Sequence, residues 1–138
     1  MNKLLCISSI GFSIPLLYAF YLNQIFITCN GILVLISSLL HHFTNLENSI
    51  YHKIDIIISR STCIILHIYV LYNTYDLLFC LYTFSYMYLT YYISCIQYKL
   101  SIIQNDNIWI YYHLYFHITV ITSMILHIHK ISNFQQFE

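Results

Sequence analysis

Between Asn107 and Lys130 the chain reads NIWIYYHLYFHITVITSMILHIHK, and from Ile108 to His129 it carries no Asp, Glu, Lys or Arg. At about 1.5 Å rise per residue, a helix over that stretch is longer than the roughly 30 Å of hydrocarbon in a bilayer, so the stretch dictates a membrane-crossing helix. Yet it holds His113, His117, His127 and His129. Polar groups in hydrocarbon cost free energy, roughly 2.5–3.5 kcal/mol for a charged side chain at mid-membrane, and they need partners there. His113 and His117 stand at i and i+4, on one helix face about one turn apart, where a pair of imidazoles can hold one metal ion.

Four apolar runs precede this one: Leu4–Leu22, Ile25–His42, Ile54–Tyr72 and Leu77–Ile93. With Ile108–His129 they predict an all-α fold, a polytopic transmembrane helix bundle of about five spans forming a single domain over residues 1–138. Only 7% of the 138 residues are charged and the formal net charge is zero. A soluble domain needs about 25% to cover its surface. No basic patch exists for nucleic acid, so the function is expected within the membrane. Lys3 before the first run would also suit a signal peptide, but no small-residue cleavage site follows. Tyr18, Phe20 and Tyr21 read as an interfacial belt, as do Tyr86, Tyr88, Tyr91 and Tyr92. Asn30-Gly31 inside the second run marks close helix packing. Phe43–Lys53, Asn73–Asp76 and Gln97–Asp106 are the polar connections. Arg60 is expected to snorkel to the interface or to pair with Asp55. The five cysteines read as small packing residues.

Helix parity gives the arrangement its functional interest. If the amino terminus defines the near face, the second helix ends there, the third begins there, the fourth ends there and the fifth begins there. Ser37, His41, Asp55, His113 and His117 then lie toward the same face. Ser38 and His42 have the same spacing as Ser37 and His41 and compete with them. Lys3, Lys53 and Lys99 flank the near face and Lys130 the far one, so the positive-inside rule puts the amino terminus and the site on the cytoplasmic side.

His41, His113 and His117 would give three neutral nitrogen ligands, which suits zinc with a fourth position left for water. Zinc lowers the pKa of such a water toward about 7. Asp55 is positioned to take a proton or orient that water, and Ser37 to donate to a developing oxyanion. Hydrolysis of a lipid acyl bond is the reaction class.

The order Ser37-x-x-x-His41, Asp55, then His113-x-x-x-His117 with His127 ten residues later resembles the membrane hydrolase superfamily of alkaline ceramidases, hemolysin III-type proteins, progestin and adipoQ receptors and GPI-remodelling lipases. SSLLHH, KID and HLYFHITVITSMILH carry the resemblance on three of five helices. It implies a zinc site of His41, His113 and His117 near which Asp55 and Ser37 act, and on flanking residues it favours Ser37 and His41 over Ser38 and His42. Members usually have seven spans. A chain of about five preserves parity, and a homo-oligomer would complete a lipid pocket.

Two other classes fit the composition. A non-enzymatic multi-pass protein, structural, receptor-like or pore-forming and of viral type, needs no convergence of these residues. A haem-binding carrier would use His67 and His127, both in the far half of the bilayer, as axial ligands. Otherwise these two histidines are interhelical hydrogen-bonding groups.

Overall fold

The computed structural model describes residues 3–44, 50–104 and 106–135. Among these residues there is no strand, and the helices are α1 (Lys3–Ile10), α2 (Ser13–Tyr21), α3 (Ile25–Thr44), α4 (Ile50–Thr74), α5 (Leu77–Gln104) and α6 (Trp109–Gln135). Four helical stretches, Leu4–Tyr21, Ile25–Phe43, Ile50–Thr74 and Trp109–Phe134, are long and apolar enough to cross a membrane. The fifth long helix, α5, is lengthy enough, but its tyrosines lower its hydropathy.

The first run is broken where its sequence is weakest. Pro15 has no N–H to offer the Gly11 carbonyl, which takes Ile14 N–H instead at 3.1 Å, and Gly11 N–H turns to Ser8 O at 3.0 Å. Such i→i+3 bonds tighten the chain into a turn between α1 and α2. Pro15 then falls in the first turn of α2, where a missing N–H costs nothing. Asn23 closes α2 in the left-handed region at φ 55°, and Gln24 N–H reaches back to Ala19 O at 2.8 Å. That six-to-one bond ends a helix cheaply because Asn tolerates the conformation.

Two expected boundaries move. The stretch Gln97–Asp106 is not a connection as far as Gln104, because α5 runs through it. QYKLSIIQ contains good helix formers and no Gly or Pro, Ser101 is buried, and Tyr98 meets Trp109 edge-on with ring centroids 5.2 Å apart. Likewise α4 begins at Ile50 rather than Ile54, which shortens the Phe43–Lys53 connection.

Helix α5 lies antiparallel to α6, with Tyr98 against Trp109 at one end and Thr83 against His127 toward the other. Helix α3 packs on α4, α1 and α2, and both halves of the first run also touch α6. The apolar core joins Phe12, Ala19, Ile27, Val34, Leu66, Val70, Met124, Ile128 and Ile131. Around it the interior is unusually rich in small polar groups, with Ser9, Thr28, Ser38, Thr62, Thr83, Thr90, Ser94, Thr119 and Ser123 all buried. The outer surface is the reverse: Leu17, Phe20, Ile57, Ile68, Leu78 and Ile103 are each more than 60% exposed. Hydroxyls inside and aliphatics outside suit a bundle solvated by lipid, where small polar residues join helices, and the chain is an integral multi-pass membrane protein.

Candidate metal centre

At one end of the bundle α3 and α6 bring three imidazoles together. The ligand atoms of His42, His113 and His117 all lie within 4.8 Å of one another. Their ring centroids are 5.4 Å apart for His42–His113, 5.5 Å for His42–His117 and 4.7 Å for His113–His117. His113 and His117 meet because i and i+4 stack on one face of α6, as expected. His42 joins them because it shares a face of α3 with Ser38, which is buried and bonds Ser9 on α1 at 2.9 Å.

The expected ligand His41 is turned away from that group. One residue rotates a helix by about 100°, and the rotation carries Ser37 and His41 toward α4. There His41 Nδ1–H donates to Asp55 Oδ2 at 3.0 Å, while Ser37 Oγ donates to Asp55 Oδ1, also at 3.0 Å. Ser59 adds a third contact to the same carboxylate at 3.3 Å. With its proton on Nδ1, His41 accepts His52 Nδ1–H on Nε2 at 3.0 Å. Ser37, His41 and Asp55 are thus brought together as one hydrogen-bonded unit, but beside the three-histidine group rather than within it. The two units touch where the His41 and His42 rings stack, 4.5 Å between centroids. Of the two readings with equal spacing, the geometry selects His42 for the cluster and His41 for the carboxylate.

Hydrogen bonding bears on which ring nitrogen keeps a lone pair. Ser8 gives its hydroxyl proton to the Leu5 carbonyl at 2.8 Å, so His117 Nδ1–H is the donor in its own 2.8 Å contact with Ser8 Oγ. Its lone pair is therefore on Nε2. Ser94 Oγ lies 3.2 Å from His113 Nδ1, a contact in which either group can donate. Metal-ligating histidines characteristically have the second ring nitrogen fixed like this. A tetrahedral ion with bonds of about 2.0–2.1 Å requires donors roughly 3.3 Å apart, so closure from separations of up to 4.8 Å takes up to about 1.5 Å of approach between side chains. The donor set fits zinc, being three neutral imidazoles with a position to spare.

Ser8, Ser9, His52 and Ser94 belong to this region and are missed by sequence reasoning. The signal that finds Ser8 and Ser94 is parity. Ser8 is a small hydroxyl in the first apolar run and Ser94 follows the fourth, both toward the near face. His52 falls in the stretch read from sequence as a polar connection but folds into α4 one helical turn before Asp55, and it carries no signal beyond its proximity.

His67 and His127 do meet, but not as a haem pair. Their rings touch at 4.6 Å between centroids, and both Nε2 atoms lie 3.2 Å from the same Thr83 hydroxyl. Axial ligands need a macrocycle between them, and here a threonine oxygen fills that place. Phe79 and Phe84 pack against the two imidazoles. They are interhelical hydrogen-bonding groups joining α4, α5 and α6.

Arg60 does not pair with Asp55; its Nη2 donates to Tyr91 Oη on α5 at 2.9 Å. No family model, curated protein or solved structure matches the chain.

Proposed function

We propose that this protein is a zinc-dependent membrane hydrolase that cleaves an acyl amide or ester bond of a lipid. The observation that carries the reading is the adjacency of two units: three imidazoles within reach of one ion, and an Asp55-oriented imidazole stacked on one of them. A purely structural bundle requires neither. Its likeness to the ceramidase and hemolysin III-type superfamily in residue order supports the same chemistry, with His42 taking the ligand role that the sequence pattern assigns to His41.

His42, His113 and His117 would hold the ion. When bound, zinc supplies a Lewis acid and makes water a nucleophile near neutral pH. Asp55 fixes the tautomer and direction of His41, whose Nε2, on exchanging the His52 N–H for the attacking water, would take a proton from that water and deliver it to the leaving group. Ser37 holds the carboxylate in place, and Ser8 and Ser94 hold the ligand rings. Lys53 and Lys99 lie on helices that bring them to the site end, whereas Lys130, at the other end, is neutralised by Asp76 at 2.8 Å. That distribution supports a cytoplasmic orientation of the site.

The experiment is release of fatty acid from acyl-amide and acyl-ester lipids by protein reconstituted in liposomes, wild type beside Asp55→Asn. A positioned general base contributes about 10²–10⁴-fold, and His41 loses its positioning without the Asp55 carboxylate, so the variant is expected to lose up to that much in rate while keeping its zinc. Zinc-loaded wild type that releases no fatty acid from either class would leave a non-enzymatic metal-binding membrane protein as the reading.

A further inference from the structure

Arg60 is a cation on the lipid-facing side of the bundle. It is exposed, it lies about 15 Å along α4 from Ile50, and it borders the stripe of Ile57, Ile64 and Ile68, each at least half exposed. A guanidinium flanked by lipid-facing isoleucines is costly unless it snorkels to the interface or an anion meets it. Among the described residues no carboxylate lies within ion-pair distance of it. Asp55, the nearest acid along the helix, is already engaged by Ser37, Ser59 and His41. Its hydrogen-bond partner is the neutral Tyr91 hydroxyl, and its Cζ lies 5.5 Å from the centroid of that ring.

The same contacts tie Arg60 to the metal centre. Tyr91 packs on Phe116 at 5.5 Å, and Phe116 packs on His113 at 5.9 Å and His117 at 6.1 Å. Arg60, Tyr91 and Phe116 therefore share the depth of His117 on three neighbouring helices. That depth poses a problem for a lipid substrate. Headgroups and acyl carbonyls rest at the interface, whereas His117 lies about 12 Å along α6 from Trp109. A lipid has to be drawn down to react.

We propose that Arg60, held by Tyr91, binds the phosphate of a phosphate-bearing lipid and draws it to the depth of the metal centre. Building on the hydrolase reading, this makes the substrate an acyl lipid with a phosphate headgroup rather than a neutral ceramide or diacylglycerol. The phosphate comes from the bilayer because Arg60 is surrounded by lipid-facing isoleucines. Guanidinium is suited to the task, since its planar fork matches phosphate oxygens and it is weakly hydrated.

The test is retention of short-chain phosphatidic acid against diacylglycerol of the same chains by the detergent-purified, zinc-loaded protein, read by native mass spectrometry. Wild type is expected to retain phosphatidic acid at least tenfold better, Arg60→Gln to lose that preference, and Arg60→Lys to keep part of it, with zinc content equal in all three. Equal retention of the two lipids by wild type, or a preference that survives Arg60→Gln, would overturn the proposal. Displacement of phosphatidic acid by millimolar inorganic phosphate would also overturn it, by making free phosphate the ligand. The binding readout needs no turnover, so a protein that prefers phosphatidic acid yet hydrolyses nothing would sink the hydrolase and leave the phosphate site standing. The reverse failure is hydrolysis of ceramide at the same rate by wild type and Arg60→Gln.

Discussion

Asp76 sits between α4 and α5, where its carboxylate meets Lys130 Nζ at 2.8 Å and accepts Phe79 N–H at 3.0 Å. The Lys130 contact, then the Phe79 N–H, hold its carboxyl below the usual carboxylate range. A depressed folded-state value means that the stabilisation is present above the unfolded value, about 3.9, and is lost as pH falls through the lower folded one. The unfolding midpoint of Asp76→Asn in detergent is therefore expected to lie below wild type at neutral pH, the gap closing in acid. A gap that stays constant from neutral pH into acid would show that the ion pair is not its source. The residue scale is also where the sequence was least decisive about the site. Ser37-x-x-x-His41 and Ser38-x-x-x-His42 have identical spacing, so local pattern cannot distinguish them. What separates them is the rotation of α3 about its axis, fixed by Ser9 on one side and Asp55 on the other. Both partners are distant in sequence, and no spacing rule contains them. His113 and His117 were legible because their partner face is set within one helix.

At the scale of elements, the close packing that sequence assigns to Gly31 is found instead at Gly11. Gly31 reads as the packing glycine of the second span, but a Cβ there would meet Leu16 and Met124 no closer than 3.7 Å, ordinary contact. Gly11 is the tight one, since a Cβ would lie 2.9 Å from both Ser8 O and the Ile121 side chain. Ile121 has a flexible end that can yield; the Ser8 carbonyl is backbone and cannot. Gly11→Ala is therefore expected to destabilise by about 1–3 kcal/mol, as overpacking does, and Gly31→Ala to be neutral or to stabilise by about 0.4–1 kcal/mol. Reversible unfolding in mixed detergent measures both, and equal effects would contradict the packing described here. The extension of α5 past Gln97 follows the same logic. Polarity suggested a loop, but QYKLSIIQ holds no Gly, Pro, Asn or Asp to end the helix, and beyond it the Asp106 carboxylate accepts Ile108 N–H at 3.1 Å.

Over the whole molecule, the sparse charge and five apolar runs were enough to read an all-helical membrane bundle, and alternating helix direction was enough to bring polar residues from separate helices to one end. Ser8, His42, Asp55, Ser94, His113 and His117 gather there from α1, α3, α4, α5 and α6. A second polar cluster, His67, Thr83 and His127, fastens α4, α5 and α6 farther along the bundle. The break at Gly11 was not legible as a break, because Pro15 inside an apolar run also suits an unbroken span. It matters because α1 supplies the hydroxyls that orient His117 and Ser38.

Metal content of the detergent-purified protein, measured by mass spectrometry in wild type, His42→Ala and His41→Ala, tests the centre most directly. About one zinc per chain in wild type is expected, lost in His42→Ala and kept in His41→Ala, because His41 belongs to the carboxylate unit beside the ion. A folded wild type without metal, or zinc that depends on His41 and not on His42, would contradict the three-histidine centre.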